Sequence, residues 1–230
     1  MLNCLALTKT YRTDRGFVDA VREVDLEVGA GRYAAIIGRS GSGKSSLLAM
    51  IGGLSRPTTG KILIEGADIW SLGDDALAHF RNRRIGYIFQ FASLLPTLRA
   101  IDNVALPLLL DRCGKKDDPY ARAIKLLTEV GLGSHLDAYP SEMSAGEQRR
   151  TAIARALIND PILLLADEPT SDLDEQTERE IMELLLGVNR ERKTTLILVT
   201  HNLALAAEAE QVVQIADGVI AMSRARKAAS

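Results

Sequence analysis

The 230-residue chain is without three features that each point to a broad class of protein. It has no basic excess: 28 Lys plus Arg stand against 30 Asp plus Glu, a formal charge of −2. The electrostatic footprint of a polyanion binder is missing, and no nucleic-acid partner is expected. It has two cysteines, Cys4 and Cys113, far apart in sequence. They indicate no disulfide framework, which suits a reducing cytosol. It also has no long hydrophobic run. The most apolar stretch, Val104 to Leu110, is far shorter than a membrane span and contains Pro107. Met1 to Thr10 lacks the basic start and apolar core of a signal peptide. Action at a membrane would therefore require a partner that supplies the span.

What the chain does have is a phosphate-loop pattern. Gly38-Arg39-Ser40-Gly41-Ser42-Gly43-Lys44-Ser45-Ser46 fits G-x-x-x-x-G-K-[ST]. The apolar run Tyr33 to Ile37 before it reads as a buried strand, and Ser46 to Ile51 after it as the start of a helix. That is the strand–loop–helix setting the motif needs. Its glycines let the backbone bend around an anion, so that successive N–H groups and the helix N-terminus converge on phosphate oxygens. Lys44 adds a point charge and Ser45 a hydroxyl for Mg²⁺.

The length suffices for one sizeable α/β domain. Leu2 to Leu7 and the alternating Val24 to Val28 predict an antiparallel piece ahead of the loop, with Tyr11 between them. For Tyr11, packing and stacking on a purine are both open from spacing alone. Lys61 to Glu65 and Ile85 to Phe89 read as strands, the latter ending at Gln90, and Asp74 to Arg84 as a helix. From Ala92 to Tyr139 the pattern turns helical. Asp118-Pro119 has the form of an N-cap with a first-turn proline, opening a helix that stops at Gly131.

Ser144 and Glu147 have capping-box spacing, so Ser144 is expected to start a helix running through Leu157. Capping explains both residues fully, and a helix N-terminus carrying Gly146 in its first turn is also an anion site. Ile162 to Ala166 is a fully apolar strand ending in Asp167-Glu168. Two carboxylates at the end of a buried strand are costly without cationic partners or a task. Beside a phosphate loop, the task for Asp167 is Mg²⁺ and that for Glu168 is to accept a proton from an attacking water. Thr195 to Val199 is a third buried strand, ending in Thr200-His201-Asn202. A lone histidine is usually structural, but His201 falls at the edge where the other motifs collect; His79 and His135 have no such setting. Gln211 to Ile215 and Val219 to Met222 predict a terminal hairpin.

Taken in order, these segments resemble the ATP-binding cassette (ABC) ATPases over nearly the whole chain. The resemblance rests on the phosphate loop, Gln90 as the Q-loop, Met143 to Glu147 (MSAGE) as the signature, Ile162 to Pro169 as Walker B, Ser171 to Asp174 as the D-loop, and His201 as the switch histidine. Within that superfamily, Ile85 to Leu110 and Gly52 to Leu72 look like the branch of lipoprotein-release, macrolide-export and cell-division ATPases. Met143 and Ala145 stand where the family usually has Leu and Gly, and Ser46 where Thr is common. The Ala145 methyl is expected to weaken signature affinity.

The resemblance implies one P-loop NTPase domain over residues 1–223 with a mostly parallel sheet, an N-terminal antiparallel β piece and a helical subdomain at about 92–158, followed by a basic tail at 224–230. It implies ATP and Mg²⁺ as ligands and a head-to-tail dimer of cassettes. Tyr11 would stack on adenine, and residues 38–46 with Gln90 would hold nucleotide. Ser45, Gln90 and Asp167 would hold the metal, Glu168 and His201 would be catalytic, and Ser144, Ala145, Gly146, Glu147 and Asp174 would act across the dimer. A membrane permease would dock near Gln90 to Asn103, placing the chain at the cytoplasmic face of the inner membrane. The expected function is the ATPase subunit of a transporter, with a cell-division-type signalling role as the alternative. Soluble ABC proteins of translation or DNA repair usually carry two cassettes or a long coiled coil; here there is one cassette and no heptad run.

Overall fold

The strands around the phosphate loop are apolar on both faces because both faces are covered. The computed structural model describes residues 1–14, 16–111 and 118–225. Cys113 and residues 226–230 of the basic tail lie outside them. Cys4 is buried and free.

Two sheets form. Strands β1 (Leu2–Thr13), β2 (Gly16–Val28), β4 (Thr59–Ile64) and β5 (Ala67–Asp68) make an antiparallel sheet in the order β2-β1-β4-β5. The second sheet contains β3 (Tyr33–Ile37), β6 (Ile85–Ile88), β7 (Leu163–Asp167), β8 (Thr195–Val199), β9 (Gln211–Ala216) and β10 (Val219–Ala225). Its order is β10-β9-β3-β8-β7-β6, parallel throughout except for the terminal hairpin β9–β10.

Alternate residues of the parallel strands feed two separate cores, as the period of two requires. Ala35, Ile88, Leu164, Ala166, Leu196 and Leu198 face one cluster, shared with helices α3 (Ala100–Leu109), α4 (Pro119–Glu129), α5 (Ala145–Leu157) and α6 (Glu175–Arg192). Ala34, Ile36, Leu163, Leu165, Ile197 and Val199 face the other, shared with the antiparallel sheet, α1 (Lys44–Ile51) and α2 (Asp74–Arg84). Each fully buried Leu or Ile contributes about 1.5–3 kcal/mol.

Helices α3 to α5 occupy the chain between β6 and β7, two strands that are neighbours in the sheet. The expected caps form: Asp118 accepts from the Tyr120 N–H, with Pro119 in the first turn of α4. The N-terminal hairpin is longer than the alternation predicts, and Tyr11 lies within β1, opposite Val18. Left-handed residues at Ala6 and Glu23 and the register shifts between Cys4 and Thr10 break the period, which is why only its ends are readable in sequence.

Candidate nucleotide site

Parallel pairing brings the motifs to one edge. Ile36 of β3 lies opposite Val199 of β8, and Val199 opposite Asp167 of β7. The residues that follow these strand ends, Gly38 onward, Glu168, and Thr200-His201, therefore emerge side by side where open α/β sheets bind ligands.

The phosphate loop is built for close backbone approach. At Gly43 (φ +104°) an added Cβ would lie 2.1 Å from the Ala20 carbonyl oxygen, and at Gly38 2.3 Å from that of Ile215. Gly43 is also the N-cap of α1, and no side chain caps that helix, so its first-turn N–H groups are left for an anion. Lys44 is buried and folded back, its Nζ donating to the carbonyls of Gly38 at 2.9 Å and Arg39 at 3.0 Å. Among the described residues the buried Ser42 hydroxyl has no hydrogen-bond partner. An ammonium resting on carbonyls, an orphaned hydroxyl and uncapped N–H groups fit a polyphosphate. Arg39, Ser40 and Gly41 form the exposed rim.

The Ser45 hydroxyl donates to Asp167 Oδ1 at 3.2 Å. Burial raises the Asp167 carboxyl above its ordinary range, the Ser45 hydroxyl opposes this, Glu168 raises it further, and Lys44 lowers it. One carboxylate and one hydroxyl are oxygen donors of the kind Mg²⁺ takes, with its remaining ligands drawn from water and phosphate. Gln90 is exposed, and among the described residues no hydrogen bond joins its side-chain amide to Ser45 or Asp167; its backbone carbonyl accepts from Arg149.

Glu168 takes a left-handed backbone (φ +44°), its N–H donating to the Val199 carbonyl at 2.9 Å. The turn separates it from Asp167 and brings Oε2 to 3.3 Å from His201 Nδ1. Behind the pair lies a hollow of ≈ 290 Å³ lined also by Ser171, Glu178, Thr200 and Asn202. Tyr11 is partly exposed at the other end of the loop; its hydroxyl lies 3.4 Å from Ser46 Oγ, and Lys9 Nζ sits 5.0 Å over its ring.

The signature segment is elsewhere. Ser144 caps α5 in the expected box, its N–H donating to Glu147 Oε2 at 2.8 Å and its hydroxyl accepting from the Glu147 N–H at 3.3 Å. His135 lies 3.6 Å from the other Glu147 oxygen. Ser144, Ala145, Gly146 and Glu147 line a hollow of ≈ 400 Å³ with Asp172, Leu173, Asp174 and Thr177, and no phosphate-loop residue lines it. Asp174 caps α6 by accepting from the N–H groups of Gln176 and Thr177, both at 3.0 Å. Sequence reading missed Arg149 and Glu178, which act over long separations, and Asn103, which brackets the irregular loop just before it; the one signal was a charged pair, Arg149-Arg150, inside a core-facing helix.

The sequence and structure are matched by known proteins. The profile described as ABC transporter matches residues 21–171. The lipoprotein-releasing system ATP-binding protein LolD of Geobacter metallireducens is 47% identical over 95% of this chain and 96% of its own. The macrolide export ATP-binding/permease protein MacB of Syntrophobacter fumaroxidans is 46% identical over 93% of this chain and 30% of its own. Among solved structures, the ATP-binding cassette MJ0796, in a dimeric post-hydrolysis state bound to ADP and Pi, superposes with a TM-score of 0.91 at 36% identity, covering 98% of both chains. On sequence, on fold and on a phosphate loop set beside Asp167 and Glu168, this chain belongs to the ABC transporter family as an ATP-binding cassette with ATPase activity.

Proposed function

We propose that the chain is the ATPase subunit of a transporter of the lipoprotein-release or macrolide-export type, driving a separate membrane permease through ATP-dependent dimerisation. The observation that carries this reading is the separation of the two half-sites. The signature lines a hollow that no phosphate-loop residue reaches, so a second copy is needed to bring a signature to each loop. The MJ0796 neighbour is described as a dimer. The permease is supported by the MacB relative, whose name joins both functions in a chain of which this one covers 30%. Among the described residues no helix is long and apolar enough to cross a membrane, which fits a cassette held at the cytoplasmic face by its partner. Exposed Phe89, Phe91 and Leu95 favour docking near Gln90 to Asn103. Residues 92–158 would form the helical subdomain that carries this surface.

Each residue then has a task. The first turn of α1 and the Lys44 ammonium receive the phosphates, Tyr11 receives adenine beside Lys9, and Ser45 and Asp167, with Gln90 moved inward, hold Mg²⁺. Glu168 accepts a proton from the attacking water, and His201 orients Glu168 and steadies the terminal phosphate. Ser144, Gly146 and Asp174 complete the site of the other copy. The nucleotide with Mg²⁺ supplies contacts that favour the closed dimer, and hydrolysis removes them.

Light scattering on Glu168→Gln tests the reading. A shift from monomer to dimer on adding ATP is expected, and a monomer at every ATP concentration would overturn it.

A further inference from the structure

The loop after β6 hangs from α5 by two arginines. Arg149, 3% exposed, donates Nη1 to the Phe89 carbonyl and Nη2 to that of Gln90. Arg155 donates Nη1 to the Ser93 carbonyl at 2.8 Å and Nη2 to that of Ala92 at 2.9 Å. The far end of the loop is fixed to α3, where the buried Asn103 side chain accepts from the Leu95 N–H at 2.8 Å and donates to the carbonyls of Leu95, Leu98 and Arg99. A loop outside the sheet must find donors for its carbonyls, and two planar guanidinium forks supply four.

Arg149 is costly for that task alone. Its Nε is buried with no hydrogen-bond partner among the described residues. Its side chain is desolvated, and the group opposing this is Asp172 in the D-loop. A buried guanidinium resting on carbonyl dipoles is expensive to desolvate, and a neutral amide would serve a single carbonyl at lower cost. The fork instead allows one rigid side chain to fix two successive peptide planes, including that of Gln90. On α5, Arg149 lies five residues after the capping Ser144, about 7.5 Å along the axis, so the signature and the fork ride on one rigid helix.

We propose that Arg149 is a positioning residue that couples the signature end of α5 to Gln90, so that displacement of the helix at the dimer interface moves the Gln90 backbone with it. This rests on the reading of Gln90 and the signature given above. Arg155 holds the exposed half of the same loop, and Asp172 in the D-loop favours the charged form of Arg149 against the cost of burial.

The test uses the full chain with Arg149→Gln, which keeps one donor group, and Arg149→Lys, which keeps the charge without the fork. Hydrogen exchange across residues 88–94 is expected to speed up about tenfold in Arg149→Gln and by a smaller factor in Arg149→Lys. Turnover should fall about tenfold at nearly unchanged KM for ATP. Combining Arg149→Gln with Gln90→Ala should lose no more than the larger single loss, because both act through one group. Unchanged exchange would overturn the coupling whatever turnover does. So would fully additive losses, or a loss of ATP affinity matching the loss of turnover. If Arg149→Gln fails to fold, the exchange and kinetics of Arg149→Lys decide in the same way. Failure of the functional reading itself would show separately, as a Glu168→Gln protein that stays monomeric with ATP.

Discussion

Oε2 of Glu168 lies 3.3 Å from Nδ1 of His201, and the glutamate reaches it only by taking a left-handed backbone at the end of β7. Backbone strain of about 1–3 kcal/mol is held at functional sites when the surrounding structure enforces it. Here it turns one of two adjacent carboxylates toward the imidazole and leaves the other on Ser45. Glu168→Gln is expected to keep ATP binding and lose on the order of a hundredfold or more in turnover, since it removes a general base. Steady-state phosphate release together with nucleotide titration checks this; a rate near wild type would remove Glu168 from the role.

The glycines of the phosphate loop differ in what they tolerate. Gly43→Ala would drive a Cβ to 2.1 Å from the Ala20 carbonyl at φ +104°, so either β2 or the loop must shift. Gly41 also has positive φ, but a Cβ there meets open space. Gly41→Ala should therefore cost the fold only the left-handed penalty, about 1–2 kcal/mol, and weaken ATP binding less than Gly43→Ala does. Gly43→Ala should abolish ATP binding and lower the melting temperature further. Similar affinities in the two variants would contradict the cradle described above.

Acid should loosen the helix starts. The Ser144 N–H holds the Glu147 carboxyl below its ordinary range, the Arg99 guanidinium does so for Asp102, and the Thr177 hydroxyl for Asp174. For a carboxyl depressed in the folded state, the stabilisation is complete above the unfolded pKa and is lost as pH falls through the folded one. Urea midpoints should thus fall as pH drops below about 4, and Glu147→Gln should reduce the slope. A midpoint that rises on acidification would contradict these three assignments.

The parts of the fold and site readable in the sequence are those set by local rules. Apolar runs of five residues marked β3, β7 and β8, because both faces of a parallel strand are buried. Capping chemistry marked Asp118 and Ser144, because an N-cap is satisfied within three residues. Motif order then implied that Lys44, Asp167, Glu168 and His201 share an edge, and parallel register brings them there. The reach of β1 and β2 was hidden, since bulges break their alternation. The Arg149 fork and the Asn103 bracket were hidden too: the fork joins α5 to the loop after β6, far away in sequence, and the bracket closes irregular backbone that has no periodic pattern onto α3. The left-handed turn at Glu168 has no glycine to announce it.

Ala145 offers the last test. It is the first residue of α5, exposed on the rim of the signature hollow, and the capping box beside it is made by Ser144 and Glu147 without its side chain. Replacing it by glycine removes a methyl from the surface that would meet the other copy's phosphates, at a helix cost of at most about 1 kcal/mol. Ala145→Gly in the Glu168→Gln background is therefore expected to lower the ATP concentration needed for dimerisation several-fold, read by light scattering. An unchanged or higher concentration would mean that the methyl does not face the partner's nucleotide, and that the weakening expected of Ala145 has no steric basis.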